Sequence, residues 1–164
     1  MEITTNAKML SDKYKRAGQA IAHNWSRYIL QLCALQILYI KARVEKGVDV
    51  DGNSLKRNSM AYGKKKLDVV GHTKPLILSG SMMNAMISEL VNTKQGKIVF
   101  SNNLVNGTEG IYNKMGMQPP FASNKEKAAK TNSYNEFFAG NQTEVDKLGN
   151  ALLIMINKDL KNVL

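Results

Sequence analysis

The chain has 164 residues and a mass of 18.2 kDa, a size that suits one domain with its own hydrophobic core. Hydrophobic residues make up 43% and charged residues 22%, so the composition is globular and excludes a disordered or fibrous chain. The net charge of +10 fits either a solvated basic face or a surface for a negatively charged partner, which would be a nucleic acid or an acidic protein. We therefore predict a single domain over residues 1–164.

The first third of the chain predicts one long amphipathic helix. Helix-forming residues run from about 11 to 45 without a proline, with Ser11 as a suitable N-cap and Gly47 as a suitable C-cap. A break near Gly18 or His23 is left open by the sequence. The apolar residues recur every three or four positions, and they are Tyr14, Ala17, Ile21, Trp25, Tyr28, Leu32, Leu35 and Tyr39.

Residues 28–40 are apolar on nearly every side of this helix, which predicts that more than one face is covered, either by the chain's own core or by a neighbouring subunit. The candidate subunit-interface residues are Tyr28, Leu32, Leu35 and Tyr39. The stretch covers about 13 residues, whereas a membrane-spanning helix needs roughly 20, so no membrane partner is expected. We also expect no secretory signal, because the first 16 residues are polar and charged. The single cysteine, Cys33, favours a reducing compartment such as the cytoplasm.

Residues 47–75 lack sustained periodicity and predict an extended, partner-binding loop, with a short helix possible at 60–66. The loop begins with an acidic turn that contains Asp49, Asp51 and Gly52. A calcium loop built on this glycine would require a carboxylate at position 47 and a glutamate at position 58. Those positions hold glycine and asparagine, so a tight turn closed by Asx hydrogen bonds is favoured over a metal site.

The second half predicts helices on either side of a small sheet. Ser79 or Ser81 is a suitable N-cap for a helix to about residue 90, residues 97–101 are the best strand, and 111–117 favour a helical turn. Residues 118–140 have the composition of a mobile or partner-ordered arm. Asn141 and Glu144 then predict the start of an amphipathic helix over about 143–160. The predicted class is α+β, with long terminal helices packed on a small antiparallel sheet and long partner-binding loops.

No catalytic, cofactor or metal pattern is present in the sequence. The only two histidines, His23 and His72, have no zinc-ligand spacing with Cys33, and no nucleophile elbow or phosphate-binding glycine loop occurs. We therefore expect no enzyme and no cofactor, although a site assembled only by folding is left open. The run Lys64, Lys65 and Lys66 is either a solvated loop or a surface that faces DNA or an acidic partner.

Several short motifs follow one another in an order that resembles a known family. An acidic turn at 49–52 is followed by a hydroxyl-rich run that leads to Tyr62 and Lys64, and then by the Leu-x-x-Ser-Gly-x-Met type element at 76–82. The later motifs are Ile98-Val99-Phe100, Ile111 to Gly116, Phe137 to Gly140, and the helix from Thr143. In order and spacing the chain is similar to the virion morphogenesis and tail-completion proteins of tailed phages, which lie in the head–tail connector or neck.

The resemblance implies a structural virion protein without catalytic residues. It implies a homo-oligomeric ring that joins the portal-side connector to the tail, with phage connector, portal-side or tail proteins as partners and possible non-specific contact with DNA in the lumen. It also implies that the chain is made in the host cytoplasm and ends in the virion. The assembly loop would contain Asp49, Asp51, Gly52, Tyr62, Lys64, Lys65, Lys66, Ser79 and Gly80. The alternative function is a small, basic protein that binds nucleic acid without sequence preference.

Overall fold

The computed structural model of the protein describes residues 3–77, 80–101, 108–118, 123–132 and 139–163. Its elements confirm the predicted α+β class. They are helices α1 (Ile3–Lys46), α2 (Met60–Val70) and α3 (Ser81–Asn84), strands β1 (Met86–Asn92) and β2 (Gln95–Phe100), and helices α4 (Thr108–Lys114), α5 (Asn124–Asn132) and α6 (Gln142–Lys161).

Helix α1 has 44 residues and is central to the packing of the molecule. It runs without a break through Gly18 and His23, and it begins eight residues before Ser11, so the predicted N-cap at Ser11 is wrong. It ends as predicted at Gly47, which has a φ of 75° and donates its N–H to the carbonyl of Val44 at 3.0 Å. The helix packs against α6 along one side and against the β1–β2 hairpin along another.

A buried ion pair joins α1 to the start of α6. Arg43 Nε lies 2.9 Å from Glu144 Oε1, and both side chains are less than a tenth exposed. Gln36 donates a further hydrogen bond to Glu144 at 2.9 Å, and Arg43 also donates to the carbonyl of Ala139. Asn141 and Glu144 form the predicted capping box, in which the asparagine side chain accepts from the Glu144 N–H. The same carboxylate therefore caps α6 and fixes it to α1.

A second polar cluster joins the two helices at the far end of α6. Asp159 accepts hydrogen bonds on one oxygen from Asn24, Arg27 and the hydroxyl of Tyr28. The Tyr28 side chain has no exposed surface. Burial, followed by the hydrogen bond to Asp159 and its charge, raises the pKa of Tyr28. The hydroxyl therefore remains a neutral donor to the carboxylate.

The predicted helix to residue 90 is wrong, because the chain turns into a strand after one helical turn. Strand β1 pairs antiparallel with β2, with Ile87 opposite Val99 and Glu89 opposite Lys97. Glycine at position 96 lets the hairpin lie directly on α1. A Cβ there would come within 2.5 Å of Ile29 Cγ2 and 2.8 Å of Cys33 Sγ.

The main core lies between α1, the hairpin, α3 and α5. Its buried members are Ile37, Ile40, Val44, Leu55, Met82, Met83, Met86 and Ala128. Ala128 belongs to α5, which forms within the predicted arm 118–140 and buries Asn124 and Lys127 as well. This part of the arm is a packed helix, while residues 119–122 and 133–138 lie outside the described residues. Within the described ranges, no helix combines the length and apolar character needed to cross a bilayer.

Candidate assembly site

The acidic turn is closed by the hydrogen bonds that the sequence predicted. Asp49 Oδ1 accepts from the N–H groups of Asp51 at 3.0 Å and Asn53 at 2.8 Å. The N–H of Leu55 then donates to the carbonyl of Gly47 at 2.8 Å, which places the Leu55 side chain in the core. The described residues contain no group of three or more potential metal-binding side chains. The carboxylate of Asp49 therefore serves to shape the loop.

Helix α2 occupies the centre of the 47–75 segment and extends four residues beyond the predicted 60–66. Ser59 accepts the N–H of Tyr62 as the N-cap, and Gly71 ends the helix with a φ of 75°. One face of α2 packs on α4, where Tyr62 contacts the cluster around Tyr112 and shares a hydrogen bond with its hydroxyl. Tyr62 therefore faces the body of the protein.

Lys66 also faces inward, which corrects its assignment to a surface that faces DNA or an acidic partner. Its side chain is 1% exposed, and its ammonium donates to the carbonyl of Lys74. Burial, with a smaller contribution from the charge of Lys127, lowers the pKa of Lys66 to about 8. Helical spacing explains the difference, since three consecutive residues of a helix point in three directions. Lys64 and Lys65 remain on the surface.

The outer face of α2 forms one wall of a groove of about 690 Å³. This wall carries Met60, Gly63, Lys64 and Leu67, and the rest of the lining comes from residues 54–55, 57–59 and 73–75. Gly47, at the base of the acidic turn, completes the lining. We call this the 47–75 groove. Of the predicted assembly-loop residues that the structure describes, Lys64 lines the groove, whereas the others do not, namely Asp49, Asp51, Gly52, Tyr62, Lys65, Lys66 and Gly80.

Three contacts hold the 73–75 wall of the groove in place. Asn58 donates to the carbonyl of Thr73 at 2.8 Å, and the buried Lys66 donates to the carbonyl of Lys74. The ammonium of Lys74 in turn forms an ion pair with Glu45 at the end of α1. The groove therefore has both walls fixed to the body of the protein.

The surroundings of His72 and Cys33 shift the pKa values of both side chains. His72 Nδ1 is buried without a hydrogen-bond partner among the described residues, and burial together with the charges of Lys66 and Lys74 lowers the pKa of the imidazole. Burial likewise raises the pKa of the Cys33 thiol, which lies under Gly96 of the hairpin. Both side chains are held in their neutral forms by their surroundings.

Two of the four candidate subunit-interface residues, Tyr28 and Tyr39, contact α6. Tyr28 is fully buried, and Tyr39 lies under the ammonium of Lys147 of α6, 5.7 Å from the ring centre. Leu32 and Leu35 are partly buried. The exposed apolar strip of α1 lies on another side, at Ala34, Leu38 and Ala42. The apolar repeat of three and four residues predicted the side of α1 that the protein itself covers. The exposed side at Ala34, Leu38 and Ala42 has no apolar repeat of similar length, so the sequence did not indicate it.

Gly80 has a φ of 75°, a conformation that favours glycine, and it directly precedes α3. Its neighbour Ser79 lies outside the described residues, so its predicted capping role stays a prediction.

Comparisons with protein-family models, curated proteins and solved structures found no match for this chain. The functional proposal therefore depends on the sequence motifs and on the geometry of the groove.

Proposed function

We propose that this chain is a structural protein of the head–tail connector of a tailed phage. It would join the portal-side connector to the tail as one subunit of a homo-oligomeric ring. The observation that carries the proposal is the order and spacing of the family motifs along the chain. One of these motifs, the Tyr-Lys run, supplies Lys64 to the 47–75 groove, and Gly47 and Pro75, which lie just outside the acidic turn and the Leu-x-x-Ser-Gly element, also line it.

The outer surfaces of the two long helices support an assembly role. Leu38 of α1 is 58% exposed, and Leu153 and Ile154 of α6 are 59% and 69% exposed. Burial of such side chains against a neighbour stabilises an interface by roughly 25 cal/mol per Å² of apolar area. A ring closes when two different surfaces of identical subunits meet through a rotation that returns to its start. We propose the surfaces around Leu38 and Leu153 as these two different surfaces.

Protein analysis of purified particles tests the proposal. Mass spectrometry of virions from the phage or prophage that carries the gene is expected to detect the chain at a constant copy number per particle. Size-exclusion chromatography with light scattering of the purified protein would measure any ring present before assembly. Absence of the chain from intact, purified particles would refute the proposal, whatever its oligomeric state in solution.

A further inference from the structure

The 47–75 groove presents apolar and cationic side chains side by side. Met60, Lys64 and Leu67 occupy positions i, i+4 and i+7 of α2 and therefore share one face of the helix. Met60 is 92% exposed and Leu67 is 50% exposed. Arg57, on the segment that leads into α2, is exposed and also lines the groove. Neither Arg57 nor Lys64 forms an ion pair with any residue in the part of the chain that the structure describes.

We propose that this groove binds a short, extended segment of another protein that combines acidic and apolar side chains. The apolar side chains would cover Met60 and Leu67, and the carboxylates would pair with Arg57 and Lys64. The distance along α2 from Met60 to Leu67 is about 10 Å, at 1.5 Å per residue. An extended segment covers that distance with about three residues. The charge of the groove selects acidic partners, and its apolar face selects against purely polar ones.

The chain itself does not offer a suitable segment in its described parts. Acidic and apolar residues alternate at 67–69 and 144–146, but those residues lie within helices α2 and α6. The third such stretch among the described residues is the turn at 49–51. There Val50 is 8% exposed, and Asp49 is bound to the N–H groups of Asp51 and Asn53. A second copy would also bring a net charge of +10 to a cationic groove. These features favour a different, acidic protein over self-association at this groove.

The groove is poorly suited to nucleic acid. Single-stranded nucleic acid binds on aromatic platforms, but none of the described residues that line the groove is aromatic, and Tyr62 faces α4 instead. A phosphate backbone would pair with Lys64 and Arg57 but would leave Met60 and Leu67 in contact with charged groups. An acidic, apolar peptide satisfies both kinds of side chain.

The groove exists before a partner arrives, which lowers the entropic cost of binding. Its 73–75 wall is held by the contacts of Asn58, Lys66 and Lys74 described above. Only the incoming segment and a few exposed side chains must become ordered. The inference rests on the proposed function only for the identity of the protein that supplies the segment. The chemistry of the groove does not depend on the virion role.

Binding of a fluorescein-labelled peptide with alternating glutamate and leucine to the full chain tests the inference. The matched probes replace every glutamate with glutamine or with lysine, and a single-stranded DNA oligonucleotide is the nucleic-acid probe. We expect the acidic peptide to bind with a Kd below about 1 mM and at least tenfold more tightly than the two matched peptides. We expect about tenfold weaker binding for the double variant Arg57→Gln, Lys64→Gln, and similarly for Met60→Ser, Leu67→Ser.

The matched control is the double variant Lys65→Gln, Lys158→Gln, which removes the same charge from exposed residues outside the groove. It is expected to bind the acidic peptide like the wild type. Equal losses in the groove and control variants would overturn the inference, as would DNA binding that competes with the peptide through the groove residues. No binding of the peptide would overturn it too. Those results leave the chain's presence in virions unaffected, and absence from virions would leave peptide binding unaffected, so the two failures are distinguishable.

Discussion

Lys66 shows how one buried charge links stability to pH. Its ammonium is in a site with 1% exposure, and among the described residues its one hydrogen-bond acceptor is the carbonyl of Lys74. The second buried amine nearby, Lys127, adds repulsion and no compensating charge. Burial of an ammonium in such a site costs free energy while the proton is bound.

We predict that Lys66 contributes an increase in the free energy of unfolding as the pH rises from about 8 to 10.5. The pKa of Lys66 is about 8 in the folded protein, against an ordinary value of 10.5. Between these two values the unfolded chain binds the proton and the folded chain does not, so the unfolded state holds more protons and stability increases with pH. The gain is on the order of 3 kcal/mol for this one group. Urea unfolding at several pH values measures it.

The variant Lys66→Met isolates this contribution. It is expected to raise the free energy of unfolding at pH 7 by about 1–2 kcal/mol, because an apolar side chain replaces a buried cation at the expense of one hydrogen bond. Its stability is also expected to rise less between pH 8 and 10.5 than that of the wild type. The control Lys65→Met, one residue away and exposed, should follow the wild type. Parallel wild-type and Lys66→Met curves would contradict the assignment.

Two tyrosines of α1 allow the same substitution to be compared in two environments. Tyr28→Phe removes a buried hydroxyl that donates to the carboxylate of Asp159, so we expect a loss of about 1.5–3 kcal/mol in the free energy of unfolding. Tyr39→Phe keeps the ring under Lys147, and the change is expected to stay within about 0.5 kcal/mol. Thermal or urea unfolding distinguishes the two. Equal effects would show that the Asp159 cluster does not join the helices.

At the scale of elements, the hairpin depends on a close approach to α1. Gly96→Ala is expected to destabilise the protein by about 1–3 kcal/mol, because the new methyl group overlaps Ile29 and Cys33. Gly18→Ala, in the exposed part of α1 with no atom within 4 Å of the new methyl group, is expected to stabilise it by about 0.5–1 kcal/mol. Circular dichroism during urea unfolding measures both. Effects of the same sign would contradict the packing of the hairpin on α1.

The start of α6 depends on a buried pair of opposite charges. Glu144→Gln leaves Arg43 without its carboxylate and weakens the capping box, so a loss of about 3–5 kcal/mol is expected. Asp146→Asn, on the exposed side of the same helical turn, is expected to change stability by less than about 0.5 kcal/mol. The measurement is again urea unfolding at pH 7. A small effect of Glu144→Gln would mean that the buried pair contributes little to the joint between α1 and α6.

The sequence was most informative where local signals decide structure. The capping box at Asn141, the glycine end of α1 and the Asx turn at Asp49 were all predicted because each uses neighbouring residues. The strand at 86–92 was missed because its apolar residues also fit a helical period, and pairing with β2 decided the outcome. The burial of Lys66 could not be predicted, since it depends on distant segments. The groove could not be predicted from the 47–75 segment alone, because its lining depends on the position of α2.

For the molecule as a whole, α1 supports two separate surfaces. It packs against α6 and the hairpin, and the 47–75 segment that follows its C-terminal end forms the groove. The exposed apolar residues on α1 and α6 lie apart from the groove lining, so contacts with neighbouring subunits and with an acidic partner need not compete. Such a division is suited to a ring that joins two different structures.

Deletion of the gene from the phage or prophage that carries it tests the central claim most directly. The proposed function predicts that induced cells accumulate DNA-filled heads and separate tails, as seen by electron microscopy of the lysate. Supply of the wild-type chain from a plasmid is expected to restore joined, infectious particles. Normal particles with attached tails in the absence of the chain would contradict the account.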